Sequence, residues 1–280
     1  MRPLADHRRA MRDSLSDIDR LTRPYSTILC DIWGVIHDGA HLLPGADHRL
    51  QAFKRAGKKV ILITNAPRPA SRIQAGLDRI GLPRTDYDAI TSSGAAGIAA
   101  LRALGRPVGF IGTAEDRADL VANGVEVVDG GFDDVAVTGL DEVRGQAAQY
   151  RDQLALLARR DVLLHCLNPD RVVIHRGQRI ACAGALADMY EALGGRTCWY
   201  GKPHRPIYEH ALQLAGNPDL ADVLAIGDGP VTDMLGAARL GIDALFVSGG
   251  IHAGEPFPED FGDRHGVPGW RPIATVTDLG

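Results

Sequence analysis

The residues from Ser26 to Cys30 form a short, largely apolar run that ends at Asp31. Such a run, without alternation, predicts a strand buried on both faces, as in a parallel sheet. An amphipathic stretch from about Ala46 to Arg55 follows, closed by Gly57, and Lys59–Thr64 reads as the next strand. Strand, helix, strand in this order is a βαβ unit, with helices on the faces of a parallel sheet. The same style returns near the other end. Ala221–Ile226 is strand-like and runs into Gly227 and Asp228, Thr232–Leu240 reads as a helix stopped by Gly241, and Ala244–Val247 reads as a further strand. Open α/β sheets bind ligands beyond the carboxyl ends of their strands. Asp31, Thr64 and Asp228 all stand at such ends, so one shared site is expected there.

Between these halves lies a stretch with its own punctuation. Pro107–Ile111, Asp134–Val137, Val162–Leu164 and Arg171–Ile174 are strand-like, and Ala147–Arg159 and Ala183–Leu193 are helical in pattern. A stretch of about ninety residues is enough for a small α/β domain. The expected fold is therefore α/β: a doubly wound parallel-sheet core of Rossmann-like type from residues 1–104 and 198–280, with an α/β domain inserted at 105–197.

Composition narrows the function classes. The chain of 280 residues has 31 Lys and Arg against 35 Asp and Glu, a formal net charge of −4, with 45% hydrophobic and 24% charged residues. That balance excludes global disorder and gives no basic footprint for nucleic acid. Cys30, Cys166, Cys182 and Cys198 form no CxxC pair, which argues against a zinc site or disulfide framework and fits a reducing compartment. No apolar run approaches membrane-spanning length, and the basic N-terminal residues lead into no apolar stretch. The expectation is a cytoplasmic protein without nucleic-acid or membrane partners.

Chemistry concentrates at the strand ends. Asp31 lies in Cys30-Asp-Ile-Trp-Gly-Val35, Thr64 and Asn65 in Leu62-Ile-Thr-Asn-Ala66, Lys202 in Tyr200-Gly-Lys-Pro203, and Asp228 with Asp233 in Gly227-Asp-Gly-Pro-Val-Thr-Asp233. Taken singly, a strand-end Asp is often a helix cap, Thr-Asn a turn and a lysine before proline a loop charge. Two superficial matches fail. Gly195–Lys202 has the wrong glycine spacing for a nucleotide P-loop, with Pro203 where Ser or Thr is required, and Gly227-Asp-Gly229 is no dinucleotide fingerprint.

Taken in order, the set resembles the haloacid dehalogenase superfamily, whose motifs are an Asp nucleophile, a Thr or Ser, a Lys and an acidic metal-binding pair. An insert between the second and third motifs is similar to that of the class IIA capped phosphatases. Leu43-Pro-Gly-Ala46, Thr91-Ser-Ser-Gly94, Asn168-Pro-Asp170 and Ala183-Gly-Ala185 agree with it. The resemblance implies Mg²⁺-dependent hydrolysis of a small phosphorylated metabolite through an aspartyl-phosphate on Asp31. Mg²⁺ is then expected on Asp31, the Trp33 carbonyl and Asp228, with Asp233 supporting the metal shell or Lys202. Lys202, the Thr64 hydroxyl and the Asn65 amide would hold phosphate oxygens. Asn168, Asp170 and Arg171 fall on the cap loop that faces substrate, and Arg171 reads either as a contact to a second anionic group or as an exposed arginine. Closure of the cap would select the substrate, and relatives of this class often dimerise through it.

One position departs from the pattern. These phosphatases usually carry a second Asp two residues after the nucleophile, as general acid and base, and here that residue is Trp33. General acid–base help contributes roughly 10²–10⁴ in rate. Several readings stay open. Another group, such as His37, Asp38 or His41, protonates the leaving oxygen; the leaving group needs little protonation; the protein transfers phosphate, or binds a phosphorylated ligand with little turnover; Trp33 stacks on an aromatic substrate; or Trp33 simply packs beneath the flap that follows it.

Overall fold

The computed structural model describes residues 17–175, 178–250 and 257–280. By Cα proximity the chain divides into two compact units. The first takes the described residues up to Ile63 with Gln74–Ile90 and Tyr208–Gly280, and the second takes Thr64–Ile73 and Thr91–Ile207.

A six-stranded sheet that lies mainly in the first unit is built from β1 (Thr27–Asp31), β2 (Lys59–Thr64), β3 (Ala89–Ser92), β10 (Val223–Gly227), β11 (Asp243–Val247) and β12 (Ala274–Val276). Its order is β12-β11-β10-β1-β2-β3, and β1 pairs in parallel with both β10 and β2. Every residue of β1 and of β10 is buried, as continuous apolar runs in a sheet covered on both faces must be. The chain therefore winds outward from β1 in one direction and returns to the other side of β1 through β10. That reversal of strand order is the topological switch point, where such sheets leave a crevice at the strand carboxyl ends. With Cys30 registered on Ile226, Asp31 and Gly227-Asp228 emerge side by side there. Helix α1 (Ala46–Arg55) follows the loop after β1, starts after Gly45 and buries Ala46, Leu50 and Phe53 at helical spacing.

The second unit has a parallel sheet in the order β4 (Gly109–Ile111), β5 (Asp134–Val137), β6 (Leu163–Cys166) and β9 (Arg196–Trp199). Helices α5 (Arg151–Arg159) and α6 (Ala183–Ala192) bury Leu154, Leu157, Leu186 and Tyr190 against β5 and β6 around Tyr150. Its sheet thus runs from Gly109 to Trp199, and the last two residues of β9 fall beyond the 105–197 segment. Strands β7 (Val172–His175) and β8 (Gln178–Ala181) form a separate antiparallel hairpin. No helix among the described residues is long and apolar enough to cross a membrane.

Two expected helices differ in detail. Ala147–Tyr150 is a 3₁₀ turn ahead of α5. The stretch expected as one helix from Thr232 to Leu240 begins instead as a π-helical turn, Pro230–Met234, before helix α8 (Leu235–Leu240). The wider turn coincides with Asp233, whose carboxylate is drawn inward, and π-turns recur where a side chain must be re-aimed.

Candidate active site

Asp31 closes β1, Asp228 follows β10, and Asp233 lies in the π-turn. All three are buried, and each offers a carboxylate oxygen within 4.8 Å of the others. Asp31 Oδ1 accepts from the Ile32 N–H at 2.7 Å. Asp233 Oδ2 accepts from the Gly229 N–H at 3.3 Å and the Thr232 hydroxyl at 3.1 Å. Glycines clear the space around the acids. A Cβ on Gly34 would stand 2.1 Å from Asp228 Oδ2, as would one on Gly250, and a Cβ on Gly227 would stand 2.2 Å from the Asp233 carboxyl carbon. Gly34 also has φ +83, which disfavours any side chain. Composition alone did not single out these glycines.

Charge decides what the trio can do. Ionised carboxylates at this separation repel by about 3 kcal/mol per pair at an effective dielectric of 20. Such a group is stable when it shares protons or holds a cation. An all-oxygen, anionic donor set of this kind matches a hard divalent cation such as Mg²⁺.

The loop after β1 is a tight flap. The Gly34 N–H donates to the His37 carbonyl at 2.9 Å, the Leu43 N–H to the Ile36 carbonyl at 2.9 Å, and the Asp38 N–H to the His41 carbonyl at 3.1 Å. Asp38 accepts from the Ala40 and His41 N–H groups at 2.8 Å, and these backbone bonds hold its carboxyl below the usual range. Trp33 lies against this flap and is still 46% exposed. Its indole meets the His37 ring edge-on at 5.5 Å between centroids. His37 Nδ1 accepts from the Gly39 N–H at 2.9 Å, and burial pushes the His37 pKa down despite Asp38. The ring therefore stays neutral with its proton on Nε2.

A second constellation belongs to the other unit. The Asn65 carboxamide accepts from the Lys202 N–H at 2.7 Å and donates to the Lys202 carbonyl at 3.2 Å and to Asp170 Oδ1 at 2.9 Å. Asn65 thus positions the buried lysine's backbone, a role the sequence did not suggest. The Thr64 hydroxyl accepts weakly from the Ala66 N–H at 3.4 Å. Asn168 Oδ1 accepts from the Asp170 N–H at 3.1 Å. Arg171 is engaged by Asp188 at 3.0 and 2.9 Å and lies over the Trp199 ring at 5.2 Å. Two residues before Lys202, the Tyr200 hydroxyl bonds His165 Nδ1 at 2.8 Å, and His165 Nε2 bonds the fully buried Asp134 at 2.8 Å. Arg106 reaches the other Asp134 oxygen at 2.6 Å. Burial holds His165 below its ordinary pKa even beside Asp134, and the chain of bonds ties the lysine loop to the buried Asp134.

Known proteins resemble this chain in sequence and in fold. The profile of haloacid dehalogenase-like hydrolases matches residues 28–126, and that of HAD-hydrolase-like proteins matches residues 199–267. A hydrolase of the haloacid dehalogenase-like family from Brucella suis 1330 is 36% identical, with a TM-score of 0.78 over 94% of this chain and 98% of that one. Chronophin from Mus musculus is 26% identical over 273 residues, covering 90% of this chain and 91% of its own. The glycerol phosphate phosphatase of Mycobacterium tuberculosis, solved in complex with magnesium, shares 23% identity and a TM-score of 0.70, over 92% of this chain and 77% of its own. The doubly wound fold is that of haloacid dehalogenase-like hydrolases. The chain belongs to the haloacid dehalogenase-like family, in its class IIA group of phosphatase-like enzymes.

Proposed function

We propose that the protein is a Mg²⁺-dependent phosphatase acting on a small phosphorylated metabolite, with Asp31 as nucleophile. The observation that carries this reading is the buried trio of Asp31, Asp228 and Asp233 at the switch point of the sheet. Asp31, the Trp33 carbonyl, Asp228 and Asp233 would hold the ion. Bound there, Mg²⁺ supplies the positive charge that lets a carboxylate and a phosphate approach each other. The Asp31 carboxylate attacks phosphorus in line with the leaving oxygen, forming an acyl phosphate that water then hydrolyses. Lys202, its backbone held by Asn65, adds charge to the transferring group, and the Thr64 hydroxyl donates to a phosphate oxygen. The segment 105–197 acts as a cap through which Asn168, Asp170 and Arg171 shape substrate choice, and the protein pairs with a second copy through that cap. Its four cysteines are free thiols, in keeping with a cytoplasmic setting.

The test is Mg²⁺-dependent phosphate release from an aryl phosphate by wild type and by Asp31→Asn. We expect loss of about three orders of magnitude or more in the variant. Retained activity would exclude the nucleophile assignment. A second reading, a phospholigand-binding regulator or a phosphotransferase with little hydrolysis, draws on Trp33 in place of the second Asp. Tight binding of a phosphorylated ligand by wild type without phosphate release would favour it.

A further inference from the structure

We propose that Trp33 is a preformed stacking platform that makes phosphate esters of planar aromatic hydroxyls the preferred substrates. This rests on the phosphatase reading and names its substrate class. Two observations converge on one residue. The first is chemical. Position 33, two residues after the nucleophile, holds no proton donor, so the leaving oxygen departs with the electron pair of the broken P–O bond and takes its proton from water. A phenolate, with a conjugate-acid pKa of about 10, tolerates this. An alkoxide, whose conjugate acid is nearly as weak as bulk water at about 15.7, does not.

The second observation is geometric. An acyl phosphate would satisfy the first condition equally well, but it presents no ring. Trp33 is a large aromatic left 46% exposed beside a buried nucleophile, although tryptophan is mostly buried on average. It is also held in place. A Cβ on Gly39 would stand 2.4 Å from the indole Cη2, and Gly39 has φ +101, so the flap turn fits the ring only as glycine. His37 packs edge-on against the indole, and its Nδ1 is tied to the Gly39 N–H at 2.9 Å. The indole, His37 and Gly39 therefore lock one another, and a stacked ring need not order the platform first.

The reaction balances without an added acid. Asp31 forms an O–P bond as the aryl O–P bond breaks and phenolate leaves. Water then attacks phosphorus, the Asp31 O–P bond breaks with its electron pair returning to the carboxylate, and the surplus proton of the water passes to the phenolate through solvent.

Calorimetry with Mg²⁺ present, comparing phenylphosphonate with methylphosphonate, reads the platform without turnover. Wild type should bind the phenyl compound about tenfold more tightly, within the range of base–aromatic stacking. In Trp33→Leu and Gly39→Ala this preference should fall to about twofold or less. The kcat/KM ratio of phenyl phosphate over acetyl phosphate should drop about fivefold or more with it. Equal binding of the two phosphonates by wild type overturns the platform and leaves the phosphatase reading intact, and this arm does not depend on any variant folding. Failure of both phosphonates to bind, with neither phenyl phosphate nor acetyl phosphate turned over, overturns both readings.

Discussion

Trp33 and the glycines around the acidic trio show how single positions set the chemistry. Restoring a carboxylate by Trp33→Asp should raise kcat for glycerol phosphate by tenfold or more, within the span of general acid–base catalysis. Phosphate-release assays on an alkyl and an aryl ester check it, and an unchanged alkyl rate would show that another group or step limits turnover. Gly34→Ala should be far more damaging than its size suggests. At φ +83 the new methyl costs about 1–2 kcal/mol in backbone strain and collides with Asp228. Gly57→Ala is the control, since Gly57 has φ +76 but nothing within 4 Å of a Cβ. Thermal unfolding with and without Mg²⁺ should show both variants destabilised, with the Mg²⁺ response lost only in Gly34→Ala. Stabilisation by a bound ion reaches about 2.7 kcal/mol at a hundredfold excess over Kd, so its loss is measurable.

The π-turn and the lysine loop place functional groups by local geometry that no single residue type announces. Thr232–Leu240 reads as one α-helix by its spacing, but the structure opens it with the π-turn Pro230–Met234. Its wider coil follows from where Asp233 must point. The lysine loop is held from two sides, by the Asn65 carboxamide and by Tyr200 through His165 and Asp134. Asn65→Ala removes the acceptor for the Lys202 N–H and the donor to its carbonyl. We expect about 1–3 kcal/mol of lost stability for buried groups left unpaired, and about tenfold weaker inhibition by inorganic phosphate. Denaturant midpoints and the phosphate Ki test this together, and a variant that loses stability while keeping its Ki would make Asn65 purely structural. In sequence Arg171 reads either as a contact to a second anionic group or as an exposed arginine. Asp188, seventeen positions away, orients its guanidinium.

Acid sensitivity belongs to the molecule as a whole, because partly or fully buried histidines in both units contribute to it. Burial pushes His37, His165 and His210 below their ordinary pKa of 6.5. Below about pH 6.5 the unfolded chain binds more protons than the folded one, so stability is full above that pH and falls as pH drops through it. We expect Tm to decline by several degrees from pH 7.5 to 5.5, and a flat Tm across that range would contradict it. Asp141, held near about 2 by Arg144, contributes only in much stronger acid and does not blur this window. The buried runs Thr27–Cys30, Val60–Ile63 and Val223–Ile226, inside the expected strands, were legible because a strand covered on both faces needs a mostly apolar sequence, and the acids at their ends were legible by position. Strands β3, β9 and β12 were not. Residues such as Arg196-Thr-Cys-Trp199 carry no strong strand pattern, and β9 exists because β6 offers it a hydrogen-bonding edge. The same holds for the chain from Asp134 through His165 to Tyr200, whose members lie 31 and 35 residues apart. Local order and the identity of the reacting groups are written in neighbouring residues, since periodicity and strand-end chemistry are short-range. The closeness of Asp31, Asp228 and Asp233, the clamp on Lys202 and the exposure of Trp33 depend on contacts between distant segments, which form only when the chain has folded.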